Sequence, residues 1–119
     1  MNIKDIKFKA KRLDNGEWVK GDLVHSTSYV GISYPSDEFS DVPIVHRVDH
    51  STVCMFTGLK DKNGTPIYEG DIIIYKDNNA ERRGTINWDS KTTSFCFGQD
   101  FLVHYPSENM IVVGNKFDK

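Results

Sequence analysis

The sequence predicts a mainly β fold of short antiparallel strands, with no helix longer than a single turn. Residues 6–10 read IKFKA, and this period of two places apolar side chains on one face of a strand and lysines on the other. Asn-Gly pairs at residues 15–16 and 63–64 favour tight turns, because glycine adopts positive φ angles without steric cost. No stretch of about twelve residues carries the 3.6-residue period of an amphipathic helix.

The same alternation, interrupted by turn residues, predicts a series of short strands along the whole chain. The run at residues 72–75 reads IIIY, and we expect this strand to be buried on both faces. The predicted strands cover residues 6–11, 18–24, 29–34, 44–48, 52–57, 72–75, 85–88, 92–97, 101–105 and 110–113.

Three connections have distinctive composition. Residues 36–41 are polar and acidic, with Asp37, Glu38 and Asp41, which favours a solvated loop. Residues 65–70 read TPIYEG and predict one helical turn, since threonine suits the N-cap, proline the first helical position and glycine a left-handed exit. Gly84 is expected to form a β-bulge where its strand begins.

Length and charge limit the class of protein. The chain has 119 residues and a net charge of -2, which predicts a single domain over residues 1–119 and excludes a strongly basic nucleic-acid coat. A turn at residues 61–64 marks a seam between two subdomains, an N-terminal sheet over residues 1–60 and a second subdomain over residues 61–119. No run approaches the roughly 18 apolar residues of a membrane span, so no membrane partner is expected.

Two cysteines, Cys54 and Cys96, lie in apolar segments. A pair of this kind in a chain without an apolar signal core at its start indicates small buried side chains in a reducing cytoplasm. Neither has a neighbour in sequence that would lower its pKa, as a catalytic thiolate requires.

Candidate catalytic and metal-binding residues are few. His46 and His50 have the H-x3-H spacing of some zinc sites, and Asp49 between them offers an oxygen ligand. Their surroundings predict strand and loop, where positions four apart are about 13 Å apart along an extended chain. No nucleophile elbow, glycine-rich phosphate loop or paired carboxylates are evident, so we expect neither catalytic residues nor a cofactor.

Basic side chains form two candidate contact surfaces. Residues 1–12 carry a net charge of +4, with five basic residues and one acidic, and residues 21–59 carry -4, with one basic and five acidic. Lys7, Lys9 and Lys11 on one face predict a protected sheet edge, a phosphate-contacting stripe or a docking edge for an acidic patch on another subunit. Arg82 and Arg83 are expected in a β-turn, either as solubilising residues or as a nucleic-acid contact.

One segment identifies a family. Residues 53–75 read VCMFTGLKDKNGTPIYEGDIIIY, which resembles the YopX family of small phage and prophage proteins, whose typical string is QYTGLKDKNGKEIYEGDIV. The opening IKFKA at residues 6–10 and the closing VGN at residues 113–115 are similar to the family's IKFRAW and IGN segments. The resemblance therefore extends over nearly the whole chain.

The resemblance implies a β-rich fold with a partial barrel, in which residues 61–119 form an SH3-like barrel. It implies no catalytic residues. Within the motif, we interpret the shared residues as turn chemistry that fixes strand register, with the Asp71 carboxylate accepting backbone N–H bonds where its strand begins. These fold-signature residues are Gly58, Asn63, Gly64, Tyr68, Gly70 and Asp71.

Three functions are compatible with these features, and the least favoured is a metal-dependent hydrolase that uses His46 and His50. The first is a non-enzymatic phage or prophage accessory protein in the host cytoplasm, which binds a protein partner or associates with itself. The second is a nucleic-acid-binding module that uses the N-terminal lysine edge and the two arginines. Charge segregation within a nearly neutral chain favours the first.

Overall fold

The computed structural model describes residues 3–37 and 42–118. Within them the chain is mainly β, as predicted, with eleven strands and four single 3-10 turns, at Ile3–Asp5, His50–Thr52, Leu102–His104 and Ser107–Asn109. The strands are β1 (Phe8–Lys11), β2 (Trp18–His25), β3 (Val30–Pro35), β4 (Pro43–Arg47), β5 (Cys54–Lys60), β6 (Pro66–Tyr68), β7 (Asp71–Lys76), β8 (Glu81–Asp89), β9 (Ser94–Phe97), β10 (Asp100–Phe101) and β11 (Met110–Asn115).

The described strands form two antiparallel sheets, one of six strands and one of five. The pairings among the described residues do not close either sheet into a barrel. Contacts divide the chain into two compact units, Met1–Met55 and Phe56–Lys119, here called the N-terminal and C-terminal units. The predicted acidic loop at residues 36–41 lies mostly outside the described residues, including Glu38 and Asp41, and Asp37 is exposed.

The N-terminal unit is an antiparallel sheet in the order β4-β3-β2-β1, with the first residues of β5 beyond β1. Its core contains Ala10, Val19, Ile32 and Val48, all buried. Ala10 lies opposite Val19 in the β1–β2 register, so the alternation that predicts these strands also places their apolar residues on one face.

The lysine-rich strand β1 is not a sheet edge, contrary to expectation. It pairs with β2 on one side, and its residues Phe8 and Lys9 pair with Met55 and Cys54 on the other. The Lys9 ammonium lies 4.7 Å from the centroid of the Trp18 ring, a cation–π contact on the outer face. The β1–β2 register, in which Lys11 lies opposite Trp18, places both Lys9 and Lys11 beside this ring.

The C-terminal unit contains a five-stranded sheet in the order β10-β9-β8-β7-β11, together with the pairing of β5 with β6. Its core is built from residues of five strands and the 3-10 turn at Leu102–His104, and comprises Ile67, Ile73, Tyr75, Ile86, Phe97, Leu102 and Met110. Both cysteines are buried, as predicted. Strand β7 is not buried on both faces, contrary to expectation: Ile73 and Tyr75 are buried, whereas Ile72 and Ile74 are half-buried. The SH3-like topology implied by the resemblance stays a prediction.

Residues 66–68 form strand β6, so the helical turn predicted at residues 65–70 is wrong. Tyr68 pairs with Phe56 of β5, and the Thr57 hydroxyl donates to the Ile67 carbonyl at 2.8 Å. These contacts with a distant strand outweigh the local preference of proline for a first helical turn. The left-handed exit is confirmed, because Gly70 has a φ of +86°.

Strand β8 begins earlier than predicted and carries no bulge at Gly84. Gly84 lies opposite Ile73 in a continuous register. A Cβ at this position would lie 2.8 Å from Cε1 of the Phe97 ring, so glycine here makes room for an aromatic side chain. Arg82 and Arg83 belong to the same strand, opposite Tyr75 and Ile74, and not to a β-turn.

The strand predicted at residues 101–105 is replaced by the short β10 and the 3-10 turn Leu102–His104. This turn buries Leu102 and leaves Val103 84% exposed. Likewise, the strand expected to begin at residue 52 begins at Cys54, after the 3-10 turn at His50–Thr52.

Candidate functional site

The signature motif builds a hydrogen-bonded turn around Asp61, between β5 and β6. One Asp61 carboxylate oxygen accepts from the backbone N–H groups of Asn63 and Thr65, at 2.8 and 2.9 Å, and the other accepts from Val112 of β11 at 2.9 Å. Burial alone would raise the pKa of Asp61, but the N–H donors of Val112, Thr65 and Asn63 together hold that pKa below its usual value. The carboxylate thus fixes the turn to the edge of β11.

The remaining motif residues shape the backbone of the same region. Gly58 and Gly64 have φ angles of +87° and +82°, and Gly58 lies within the register shift between β5 and β6. Asp71 accepts from the Tyr68 backbone N–H at 2.7 Å, which agrees with the interpretation of Asp71 as an acceptor of backbone bonds. The motif therefore fixes the backbone where β5, β6 and β7 meet.

An apolar groove of about 630 Å³ lies in the C-terminal unit. Leu59 of β5, Phe95 of β9 and the segment 101–107 provide most of its walls. Phe101 and Val103 are 40% and 84% exposed, so the groove presents large apolar side chains to solvent. We refer to it as the apolar groove.

Aromatic packing supports two residues that line the apolar groove, Tyr105 and Phe95. Tyr105 meets the rings of Tyr75 and Phe97 edge to face, each at a centroid distance of 5.0 Å. Phe95 has the same relationship with Trp88, also at 5.0 Å, and Trp88 is 44% exposed. Exposed aromatic side chains of this kind are typical of protein–protein interfaces.

Tyr105 also belongs to a polar network at the edge of the apolar groove. Its hydroxyl donates to the Asp100 carboxylate at 2.6 Å and accepts from the Arg82 guanidinium at 2.8 Å. The hydrogen bond to Asp100, with a smaller contribution from burial, raises the pKa of Tyr105. Arg82 lies 3.3 Å from Asp100, so this predicted nucleic-acid contact is already partnered by an acidic side chain.

The other predicted basic contacts lie in different settings. Lys7 precedes β1, whereas Lys9 and Lys11 belong to it, and their ammonium groups lie 4.7 and 5.6 Å from the Trp18 ring centroid. Arg83 is exposed. Lys9 and Lys11 therefore occupy the outer face of an interior strand and not a free edge.

The candidate metal ligands do not converge. His46 lies in β4, where its Nε2 is 2.9 Å from the Tyr34 hydroxyl. The Asp49 carboxylate caps the following 3-10 turn by accepting from the backbone N–H and hydroxyl of Ser51. His50 begins that turn. In the part of the chain that the structure describes, no three His, Cys, Asp or Glu side chains are grouped so as to hold a metal ion.

The apolar groove was not predicted from the sequence. The sequence predicted a strand at residues 101–105, whereas the groove depends on the 3-10 turn Leu102–His104, which buries Leu102 and leaves its apolar neighbour Val103 exposed. The signal that was present is the low charge of residues 101–107, which contain neither lysine, arginine, aspartate nor glutamate.

Comparison with known proteins gives one match. No curated protein and no solved structure matches the chain. Separately, the described residues contain no helix with the length and hydropathy of a membrane span. The family described as YopX protein matches residues 7–119. This match covers nearly the whole chain and includes the Asp61 turn, Asp71 and the apolar groove. The chain therefore belongs to the YopX family.

Proposed function

We propose that this protein is a non-enzymatic phage or prophage accessory protein of the host cytoplasm that associates with a second copy of itself. The apolar groove is the observation that carries this proposal. Isolated apolar side chains are common on protein surfaces, but grooves lined by several of them favour a binding site. An SH3-like fold for the C-terminal unit, which the family resemblance implies, is part of the same proposal.

The proposed occupant of the apolar groove is the N-terminal segment of the second copy. Ile3 and Ile6 are 81% and 37% exposed, and they lie in residues 1–12, whose net charge is +4. Apolar side chains within a basic segment suit an apolar groove that has acidic neighbours.

The segment that builds the apolar groove is acidic at both ends. Asp100 precedes Phe101 and Glu108 follows Ser107, with no lysine or arginine between them. Arg82 offsets Asp100 in part, whereas Glu108 is exposed. Attraction between this segment and the basic N-terminus would orient the second copy, and salt would weaken it.

A contact between two different surfaces gives a head-to-tail arrangement, in which each copy offers one surface of each kind. Substitution of either surface should therefore weaken association. Val103→Lys removes an apolar wall of the groove, and Ile3→Lys removes the proposed anchor. Val113→Lys is the control, because Val113 is 47% exposed and does not line the groove.

Sedimentation equilibrium at low and high salt tests the proposal. We expect concentration-dependent association that weakens at high salt, is reduced by Val103→Lys and by Ile3→Lys, and is unchanged by Val113→Lys. An equimolar mixture of Val103→Lys and Ile3→Lys should form dimers, because each variant retains the surface that the other lacks. A strict monomer under all conditions, or equal loss in the control, would exclude the proposed association.

The alternative function is nucleic-acid binding, and a gel-shift experiment tests it. The proposed contacts are Lys7, Lys9, Lys11, Arg82 and Arg83. Binding at about 50 mM salt, weakened by Lys7→Glu and Lys9→Glu, would favour this alternative. Unshifted DNA and RNA at that salt, combined with self-association, would favour the proposed function.

A further inference from the structure

A second depression, with a volume of about 620 Å³, lies in the N-terminal unit. It forms where the turn between β2 and β3 lies beside the end of β4 and the following 3-10 turn. Polar side chains dominate its walls, and we call this depression the polar pocket. Its polar and charged residues are His25, Ser26, Thr27, Ser28, Arg47, Asp49 and His50. Neither the family motif nor the apolar groove includes any of these residues.

Arg47 is the residue that distinguishes the polar pocket. Its guanidinium carbon lies 4.9 Å from the centroid of the Tyr29 ring, a cation–π contact that occupies the flat face of the group. Within the described residues, the Arg47 side chain has neither a hydrogen bond nor an ion pair, whereas Arg12 and Arg82 are paired with aspartates. The guanidinium N–H groups of Arg47 are thus available to a ligand.

The backbone around Arg47 is held in place before any ligand binds. The Arg47 carbonyl accepts from the Leu13 N–H at 3.0 Å, and the Val48 N–H donates to the Val30 carbonyl at 3.0 Å. In the turn between β2 and β3, the Ser26 hydroxyl accepts from the N–H groups of Ser28 and Tyr29, each at 3.2 Å. A pocket with fixed walls requires less ordering when a ligand binds.

We propose that the polar pocket binds the terminal phosphate group of a small molecule, with Arg47 as its principal ligand. The planar fork of an arginine donates two parallel hydrogen bonds to phosphate oxygens. The Thr27 and Ser28 hydroxyls and the imidazoles of His25 and His50 supply further hydrogen-bonding groups in the same pocket. A concave site with a single arginine suits a small anion. Proteins that bind a nucleic-acid backbone usually do so through a stripe of several basic residues.

Asp49 opposes this binding and provides a second test. Asp49 lines the polar pocket, and hydrogen bonds from the Ser51 side chain and backbone hold the pKa of Asp49 below its usual value. The resulting negative charge repels phosphate. Because asparagine is also a good N-cap residue, Asp49→Asn removes this charge without removing the cap.

Titration of the full chain with inorganic phosphate, followed by amide NMR shifts at pH 7.5 and constant ionic strength, tests the proposal. We expect saturable shifts confined to residues 25–30 and 47–50. Arg47→Gln should weaken binding about tenfold or more, and Asp49→Asn should strengthen it about threefold. Arg83→Gln, which removes an exposed arginine of the other unit, should leave binding unchanged.

Three results would overturn the proposal: shifts that do not saturate, equal binding by wild type and Arg47→Gln, or equal loss in Arg83→Gln. A short oligonucleotide is the comparison probe. Shifts of the same amides with the oligonucleotide but not with phosphate would assign the polar pocket to nucleic acid instead. Because none of these variants alters the apolar groove, self-association can succeed or fail independently.

Discussion

The side-chain amide of Asn115 donates to Oδ1 of Asp71 at 2.9 Å in the interior of the C-terminal unit. Both residues are buried, with 3% and 1% of their surfaces exposed. The other Asp71 oxygen accepts from the Tyr68 N–H, and the Asn115 carbonyl oxygen Oδ1 accepts from the Phe117 N–H at 3.0 Å. This contact joins the signature motif to β11, and both segments carry the family resemblance.

Replacement of Asn115 by aspartate tests this contact. Asn115→Asp is nearly isosteric, but it places a second carboxylate beside Asp71 where an amide donor stood. We expect the free energy of unfolding at neutral pH to fall by about 2–4 kcal/mol, measured by urea denaturation. Asn87→Asp is the control, since the Asn87 amide is exposed and 3.5 Å from its acceptor; equal losses would contradict a special role for Asn115.

Asp61 should make stability depend on acid pH. Its pKa in the folded chain is below the usual value of 3.8, so the unfolded chain binds the proton more readily. The stabilisation is therefore complete above the unfolded pKa and is lost as the pH falls through the folded pKa. Asp61→Asn should cost about 1–3 kcal/mol at neutral pH and flatten the loss of stability below about pH 5.

Urea denaturation of wild type and variant across the acid range measures this effect. Asp77→Asn is the matched control, because Asp77 also accepts two backbone N–H bonds in a turn but is exposed. Solvent screens an exposed carboxylate, so its substitution should change the pH dependence less. Equal changes in the pH dependence of stability in the two variants would mean that burial of Asp61 does not affect that dependence.

Gly84→Ala should destabilise the C-terminal unit. The new methyl group would lie 2.8 Å from the Phe97 ring, and overpacking of this kind costs about 1–3 kcal/mol. Thermal unfolding of Gly114→Ala provides the control, since a Cβ there would make an ordinary contact of 3.6 Å with the Asp118 carboxylate. A Gly84→Ala protein as stable as the control would show that Phe97 moves aside freely.

Asp100→Asn should lower the pKa of Tyr105. The Tyr105 hydroxyl donates to the Asp100 carboxylate at 2.6 Å, and the carboxylate opposes loss of that proton. Removal of the charge should move the pKa back towards the usual value of 10.0. NMR titration of labelled tyrosines measures the pKa of Tyr105. The control is Asp89→Asn, because the Asp89 carboxylate accepts from Thr92 and the Lys91 N–H. This variant should leave the pKa of Tyr105 unchanged.

Local patterns predicted much of the architecture. The alternation at residues 6–10, the Asn-Gly turns and the apolar run at residues 72–75 each place a strand or turn that the structure contains. Asp71 could also be assigned as an acceptor of backbone N–H bonds, because the motif places it where its strand begins. These features depend on neighbours in sequence, so they can be inferred without knowledge of the fold.

Contacts between distant segments decided the rest. Pro66–Tyr68 is a strand because β5 lies beside it, although its composition favours a helical turn. The lysine strand β1 is interior because Met55 and Cys54 pair with it, which alternation alone cannot reveal.

The sequence by itself thus determined the mainly β class, the two Asn-Gly turns and the family, since all three depend on residue type and short spacing. Only the tertiary structure decided the apolar groove, which joins Leu59, Phe95 and residues 101–107. It also decided the polar pocket, where Arg47 and Tyr29 meet across 18 positions of sequence. Each site depends on the order of its strands and on a 3-10 turn of its own, Leu102–His104 for the apolar groove and His50–Thr52 for the polar pocket. Burial of the core selects these conformations over the alternatives that local preferences allow.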